Sequence, residues 1–192
     1  MIEQLGDLLP QPDRGDRIYG VVVGVVTNNQ DPDGLGRVKV KFPWLSDGDE
    51  SHWARLASPM AGKGRGLYLL PEVDDEVLVV FEQGQLDRPF IIGALWNGED
   101  DPPTGNDDGK NNLRMLKSRS GHTVTLDDTE GSEKIIVSDK SGKSTLVFDS
   151  AKGSITISAG QDLILSAKGD LTIDCKRFAV NGSALVVRSK GG

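Results

Sequence analysis

The sequence predicts an all-β protein in two unequal parts: a small closed barrel or sandwich, then a three-sided β-prism shared by three chains. Three observations carry this reading. There are 24 glycines, nine prolines and only 5% aromatic residues, and short Val/Ile/Leu runs are broken throughout by Gly, Asp and Asn, which is the texture of strands and turns. No amphipathic helical pattern persists beyond a short N-terminal stretch. Residues 155–178, ITISAGQDLILSAKGDLTIDCKRF, repeat with a period of eight residues.

Taken in order, residues 1–17 form an N-terminal arm. Ile2, Leu5, Leu8 and Leu9 share one helical face there until Pro10 stops it. Six β runs follow: RIYGVVVGVV (17–26), GRVKVKFPW (36–44), HWARLAS (52–58), GLYLLP (66–71), DEVLVVFEQG (75–84) and RPFIIGALWNG (88–98). In the second, Val38 and Val40 alternate with Arg37, Lys39 and Lys41, the period of a strand with one wet face. DPDGLG (31–36) and QGQLDRP (83–89) are turn signals. So many short strands with no helix between them predict a barrel or sandwich over residues 18–103.

NGEDDPPTGNDDGKNN (97–112) is rich in Gly, Pro, Asp and Asn, as domain boundaries are. Residues 104–123 are therefore read as a linker or neck, and 124–192 as the prism. Short strands recur at Val124–Leu126, Ile135–Val137, Leu146–Phe148 and Ile155–Ile157, and their spacing tightens from about eleven residues to eight. In the octads the first, third and fifth positions are apolar or small: Ile155/Ile157/Ala159, Leu163/Leu165/Ala167 and Leu171/Ile173/Cys175. Gly160, Asp162, Gly169 and Asp170 fall in the turns, so one face is buried and the other wet.

A five-residue strand and three-residue corner do not complete a solenoid coil, which takes roughly 20 or more residues. One chain supplying all three sides would make barely more than one coil from residues 155–186, whereas stacking needs about three or more repeats. Three chains each supplying one side make about four layers from the same residues. The competing arrangement is an antiparallel meander. It explains the alternation, but not an exact octad with a small residue at every fifth position. The expected trimer core is Ile155, Ile157, Leu163, Leu165, Leu171, Ile173 and Cys175.

Charge separates the halves. Residues 1–103 carry 9 basic and 18 acidic side chains, and residues 104–192 carry 13 and 11, giving −9 and +2. There is no secretory leader pattern and no apolar run long enough to span a bilayer, so the chain is expected to be made in the cytoplasm as a soluble protein. One cysteine allows neither an intrachain disulfide framework nor a Cys-based zinc cluster. The carboxylates of EVDDE (72–76) and LDD (126–128) read as solvated turns, because nothing near them supplies an acid/base partner. His52 and His122 are isolated and read as strand residues, and Cys175 as a small buried hydrophobe. No catalytic, cofactor-binding or metal-binding residue is assigned.

The stretches GVVVGVVTNNQDPDGLGRVKVKFPWL, SHWARLASPMAGKGRGLYLLPEVDDEVLVVFEQGQLDRPFIIGALWNG and SRSGHTVTLDDTEGSEKIIVSDKSG resemble the central spike proteins of contractile injection machines. These are phage baseplate assembly protein V and the valine-glycine-repeat spike of type VI secretion. The resemblance covers most of the chain from about residue 18. It implies an oligonucleotide/oligosaccharide-binding (OB) barrel followed by a triangular intertwined β-helix of three chains. It further implies a homotrimeric, non-enzymatic structural spike that carries the thrust of sheath contraction into a target membrane, assembled into a phage virion or phage-tail-like particle.

The fused hub domains of type VI spikes and the lysozyme-like insert are not matched, so a separate hub protein is expected at the barrel end. Some spikes of the family close their point with a histidine-bound metal. Here FAVNGSALVVRSKGG (178–192) has no His, Cys or carboxylate cluster. A separate tip protein resembling the PAAR-repeat family is therefore expected on Leu185, Val186 and Val187. An acidic OB-type adaptor without a piercing role is the alternative function. An OB barrel suggests nucleic acid, with Phe42, Trp44, Trp53 and Trp96 as stacking platforms. A half carrying −9 argues against phosphate binding.

Overall fold

The computed structural model describes residues 17–45, 48 and 50–182. The chain divides into two compact units between Pro103 and Thr104, each taken by itself below. Both are all-β.

The first unit contains β1 (Val22–Asn28), β2 (Lys39–Lys41), β3 (Arg55–Leu56), β4 (Ala61–Gly62), β5 (Arg65–Gly66), β6 (Glu76–Phe81) and β7 (Pro89–Leu95). Its main sheet runs β2-β1-β6-β7-β3, and β4 and β5 form a separate hairpin. Every pairing in that sheet is antiparallel except β3 with β7, which is parallel through Arg55 opposite Phe90 and Leu56 opposite Ile91. The sheet closes on itself where Val38 and Ala54 exchange both backbone hydrogen bonds, at 3.0 and 2.7 Å. That closed order, with its one parallel pair, is the five-stranded OB barrel that the resemblance implies.

Alternation fills the barrel. Val77, Val79 and Phe81 point inward from β6, with Val26 on β1, Val38 and Val40 around β2, and Phe42, Ala54 and Ile91 completing the core. Val26, Val38, Val40, Val77, Val79 and Ile91 are fully buried, each contributing roughly 1.5–3 kcal/mol. Gly24 is inward too. A Cβ there would lie 3.3 Å from each of the Val40 Cβ, the Phe42 Cε1 and the Lys41 carbonyl oxygen, so a side chain at this position would have to push its neighbours back by a few tenths of an ångström.

The loop between β1 and β2 is organised by one carboxylate. Asp31 accepts backbone N–H bonds from Asp33, Leu35 and Arg37 at 3.1, 3.0 and 3.2 Å. This is the DPDGLG turn read from the sequence. One expected strand is absent: of GLYLLP (66–71), only Gly66 belongs to a strand. The rest lies outside the ladders because each barrel strand already has two neighbours.

The second unit contains β8 (Leu113–Lys117), β9 (Thr123–Asp127), β10 (Lys134–Ser138), β11 (Thr145–Asp149) and β12 (Ser154–Ser158). They form one antiparallel sheet in the order β12-β11-β10-β9-β8. The expected strand cores at 124–126, 135–137, 146–148 and 155–157 all lie in it. The partners differ from expectation: residues 113–158 pair within the chain as a meander, and β8 falls in the stretch read as linker. The turns explain this. Gly121, Gly131, Gly142 and Gly153 each have positive φ, between 61 and 98°, which reverses the chain without strain.

Aspartates at strand ends fix three of these reversals. Asp127 accepts from the Thr129 N–H and hydroxyl at 3.0 and 2.6 Å. Asp139 accepts from the Ser144 N–H and the Ser141 hydroxyl at 3.0 and 2.7 Å, and Asp149 from the Lys152 N–H at 3.0 Å. Neither Gly160 nor Gly169 takes the left-handed conformation. After Ser158 no strand is formed among the described residues.

Candidate functional site

The register of the meander builds one surface. Leu116 stands opposite Val124, Val124 opposite Val137, Val137 opposite Leu146, and Leu146 opposite Ile157. Two residues along, Leu126, Ile135, Phe148 and Ile155 form a second row. Because strand side chains alternate, both rows lie on the same face. Apart from Arg114, which ends the second row opposite Leu126, that face is wholly apolar.

These nine apolar side chains are not covered in the single chain. All but the half-buried Leu146 are between 37 and 65% exposed. The opposite face has a central row of Met115, Thr125, Ile136, Val147 and Thr156, flanked by Lys, Thr, Ser and Asp side chains and by Leu113. An exposed apolar face of this size on an ordered sheet marks an interaction surface. The edges point the same way: β8 and β12 each have one neighbour and so one open row of backbone donors and acceptors.

Of the residues expected in the trimer core, Ile155 and Ile157 lie in β12 on this apolar face. Leu163, Leu165, Leu171 and Ile173 follow outside any ladder and are 55, 63, 61 and 56% exposed. Cys175 is exposed there as well. The structure thus joins two of the seven to the meander and leaves the other five without chain partners of their own. Sequence reasoning missed Leu116, Val124, Leu126, Ile135, Val137, Leu146 and Phe148 as part of the same surface. The signal was present in the glycine at each reversal. Leu185, Val186 and Val187 lie outside the described residues.

The other candidates separate cleanly. In EVDDE, the Asp75 carboxylate accepts the Glu72 N–H at 2.8 Å, a local turn contact. In LDD, Asp127 caps its turn while Asp128 pairs with Arg114. His122 Nδ1 accepts the Lys140 N–H at 3.2 Å, and His52 is exposed. Ser141, with the Ser144 N–H, holds the Asp139 carboxyl down at about 2. Among the described residues no group of three or more His, Cys, Asp or Glu side chains is arranged to hold a metal. No described helix is long and apolar enough to cross a membrane.

Fold and surface together define an all-β protein with an OB barrel followed in the chain by an antiparallel sheet that has one exposed apolar face. Residues 22–96 match the type VI secretion system/phage-baseplate injector OB domain family. It is 30% identical over 146 residues to the type VI secretion system spike protein VgrG1a of Pseudomonas aeruginosa, covering 70% of this chain and 23% of that protein. It is 32% identical over 113 residues to the spike protein VgrG3 of Vibrio cholerae, covering 55% of this chain and 11% of that one. A third relative, the actin cross-linking toxin VgrG1 of Vibrio cholerae, is 29% identical over 150 residues, 74% of this chain and 13% of its own. The chain spans less than a quarter of the length of these relatives.

Proposed function

We propose that the protein is a structural spike component of a contractile tail or injection-system baseplate, a homotrimer that transmits sheath contraction into the target envelope. The observation that carries this is the continuous apolar face from Leu116 to Ile157, extended by Leu163, Leu165, Leu171 and Ile173. Full burial of such a side chain stabilises by roughly 1.5–3 kcal/mol. At half that value, nine of them contribute on the order of 10 kcal/mol per chain. That matches the roughly 5–15 kcal/mol stability of a whole domain, so covering this face decides the state of the protein.

Three copies satisfy face and edges together. Each meander forms one wall with its apolar face inward, and the open edge of β12 meets the open edge of β8 of the next copy. The octads, with no ladder within the chain, then take their partners from the other two chains. A prism made this way is stiff along its axis, which thrust requires. A hub protein is proposed at the barrel end and a PAAR-like tip protein on Leu185, Val186 and Val187, with transient contact of the tip with the target membrane.

Light scattering on the full chain tests the reading. Three times 20.6 kDa is expected. A folded, soluble monomer sinks it and leaves the acidic adaptor as the function.

A further inference from the structure

The barrel has an apolar surface of its own, and it lies where the chain enters. An open recess of about 430 Å³ is lined, among the described residues, by Ile18, Val22, Val23 and Trp44. Ile18 and Val22 pack against the barrel core, and the Trp44 ring lies 5.9 Å from that of the buried Phe42. Trp44 is nonetheless 51% and Val23 37% exposed. Val23 stands opposite Leu78 on the outer face of the sheet, which extends the apolar surface onto β6.

The lining selects the kind of occupant. Small-molecule sites carry a few placed polar groups that fix orientation, whereas the indole N–H of Trp44 is the only side-chain donor or acceptor among these four residues. An apolar segment suits the recess better than a small ligand.

The chain supplies such a segment. Ile18 is pinned at the recess, its N–H donating to the Gly84 carbonyl at 3.0 Å, and Arg17 Nη1 donates to the Gln83 carbonyl at 3.0 Å. Residues 1–16 therefore join the barrel within two residues of the recess. In them Ile2, Leu5, Leu8 and Leu9 recur at helical spacing, with Glu3 and Asp7 on the other side of that pattern and Pro10 ending it. The eight residue steps from Leu9 to Arg17 reach at most about 26–29 Å, ample for the stripe to return to the recess. A short tether holds its segment at an effective concentration in the millimolar range, so a separate apolar partner at micromolar concentration would have to bind about a thousandfold more tightly to displace it.

We propose that residues 2–9 cover this recess on their own barrel, with Leu5, Leu8 and Leu9 against Val22, Val23 and Trp44 and with Glu3 and Asp7 turned to solvent.

Acrylamide quenching of Trp44 in the 192-residue chain tests this, the Trp44 emission being the difference between each chain and the same chain carrying Trp44→Phe. Removal of residues 2–9 should raise the quenching severalfold. Leu5→Asp/Leu8→Asp should act as the deletion does, and Glu3→Lys/Asp7→Lys should leave the quenching unchanged. Circular dichroism checks that the variants fold. In a Cys175→Ser background, oxidation of Leu9→Cys/Val23→Cys should close a disulfide within one chain, which a denaturing gel separates from a link between two. Equal quenching with and without residues 2–9 overturns the proposal. So does an effect of the lysine pair as large as that of the aspartate pair, or failure of the cysteine pair to link within a chain.

Discussion

Arg37 grips Asp31 with two nitrogens, Nε to Oδ2 at 2.8 Å and Nη2 to Oδ1 at 2.6 Å, while Nη2 also reaches Asp33 at 2.6 Å. The Asp31 side chain is only 3% exposed. The guanidinium, helped by three backbone N–H groups, holds its carboxyl well below the usual carboxylate range. The pair fixes the loop that leads into β2.

This gives a pH dependence of known sign. The folded value is depressed, so the stabilisation is fully present above the unfolded value of roughly 3.9. It is lost as pH falls from there through the lower folded value. Asp31→Asn should therefore lower the urea midpoint at pH 7, and the gap to the parent should close progressively below about pH 4. A gap of constant size from pH 7 to pH 2 would mean that the ionised pair is not what holds the loop.

Gly24→Leu should destabilise the barrel by about 1–3 kcal/mol, the cost of overpacking a filled core, because Val40, Phe42 and the Lys41 carbonyl already stand against that position. Thermal unfolding of the variant checks this. An unchanged midpoint would show that β1 can move aside.

On the proposed assembly surface, Val137→Asp should give a folded monomer and Ser138→Asp a trimer, since adjacent strand residues face opposite ways. Val137 is 40% exposed in the single chain, so the carboxylate stays solvated until copies associate, and only then lacks a partner. In the octads, Ile173→Asp should likewise block assembly and Thr172→Asp should not. Light scattering reads all four. Equal behaviour within either pair means that the phase is wrong.

The 192-residue chain should not retain single-stranded DNA at physiological salt, given the −9 of residues 1–103. Micromolar binding that falls steeply with added salt would contradict this and favour the adaptor function.

The barrel was legible where strands have one wet face. The alternation of Val38 and Val40 with Lys39 and Lys41 gave both strand and orientation, and the core follows it. The run GLYLLP was misread because apolar composition says nothing about whether a ladder has room for another member. In the second unit the strand centres were legible, but their partners were not. A strand's period shows which face is buried, while the turn decides whether the next strand lies beside it or elsewhere. Gly121, Gly131, Gly142 and Gly153 reverse the chain, and that distinction between the eleven-residue and eight-residue spacings was available in the sequence. The stacking of Arg55 on Phe90 was not, since it joins residues brought together only by the parallel β3–β7 pairing.

Every ladder of the meander joins strands that are consecutive in the chain, whereas the barrel must bring Phe90 back to Arg55 before it closes. Local pairing is fast and long-range closure slow. The sheet can therefore form soon after its residues emerge, with its apolar face displayed before other copies are at hand to cover it. A nascent chain in that interval is sticky before it is finished. Production at low temperature or from a weak promoter should then raise the soluble yield, because fewer uncovered sheets are present at once to aggregate.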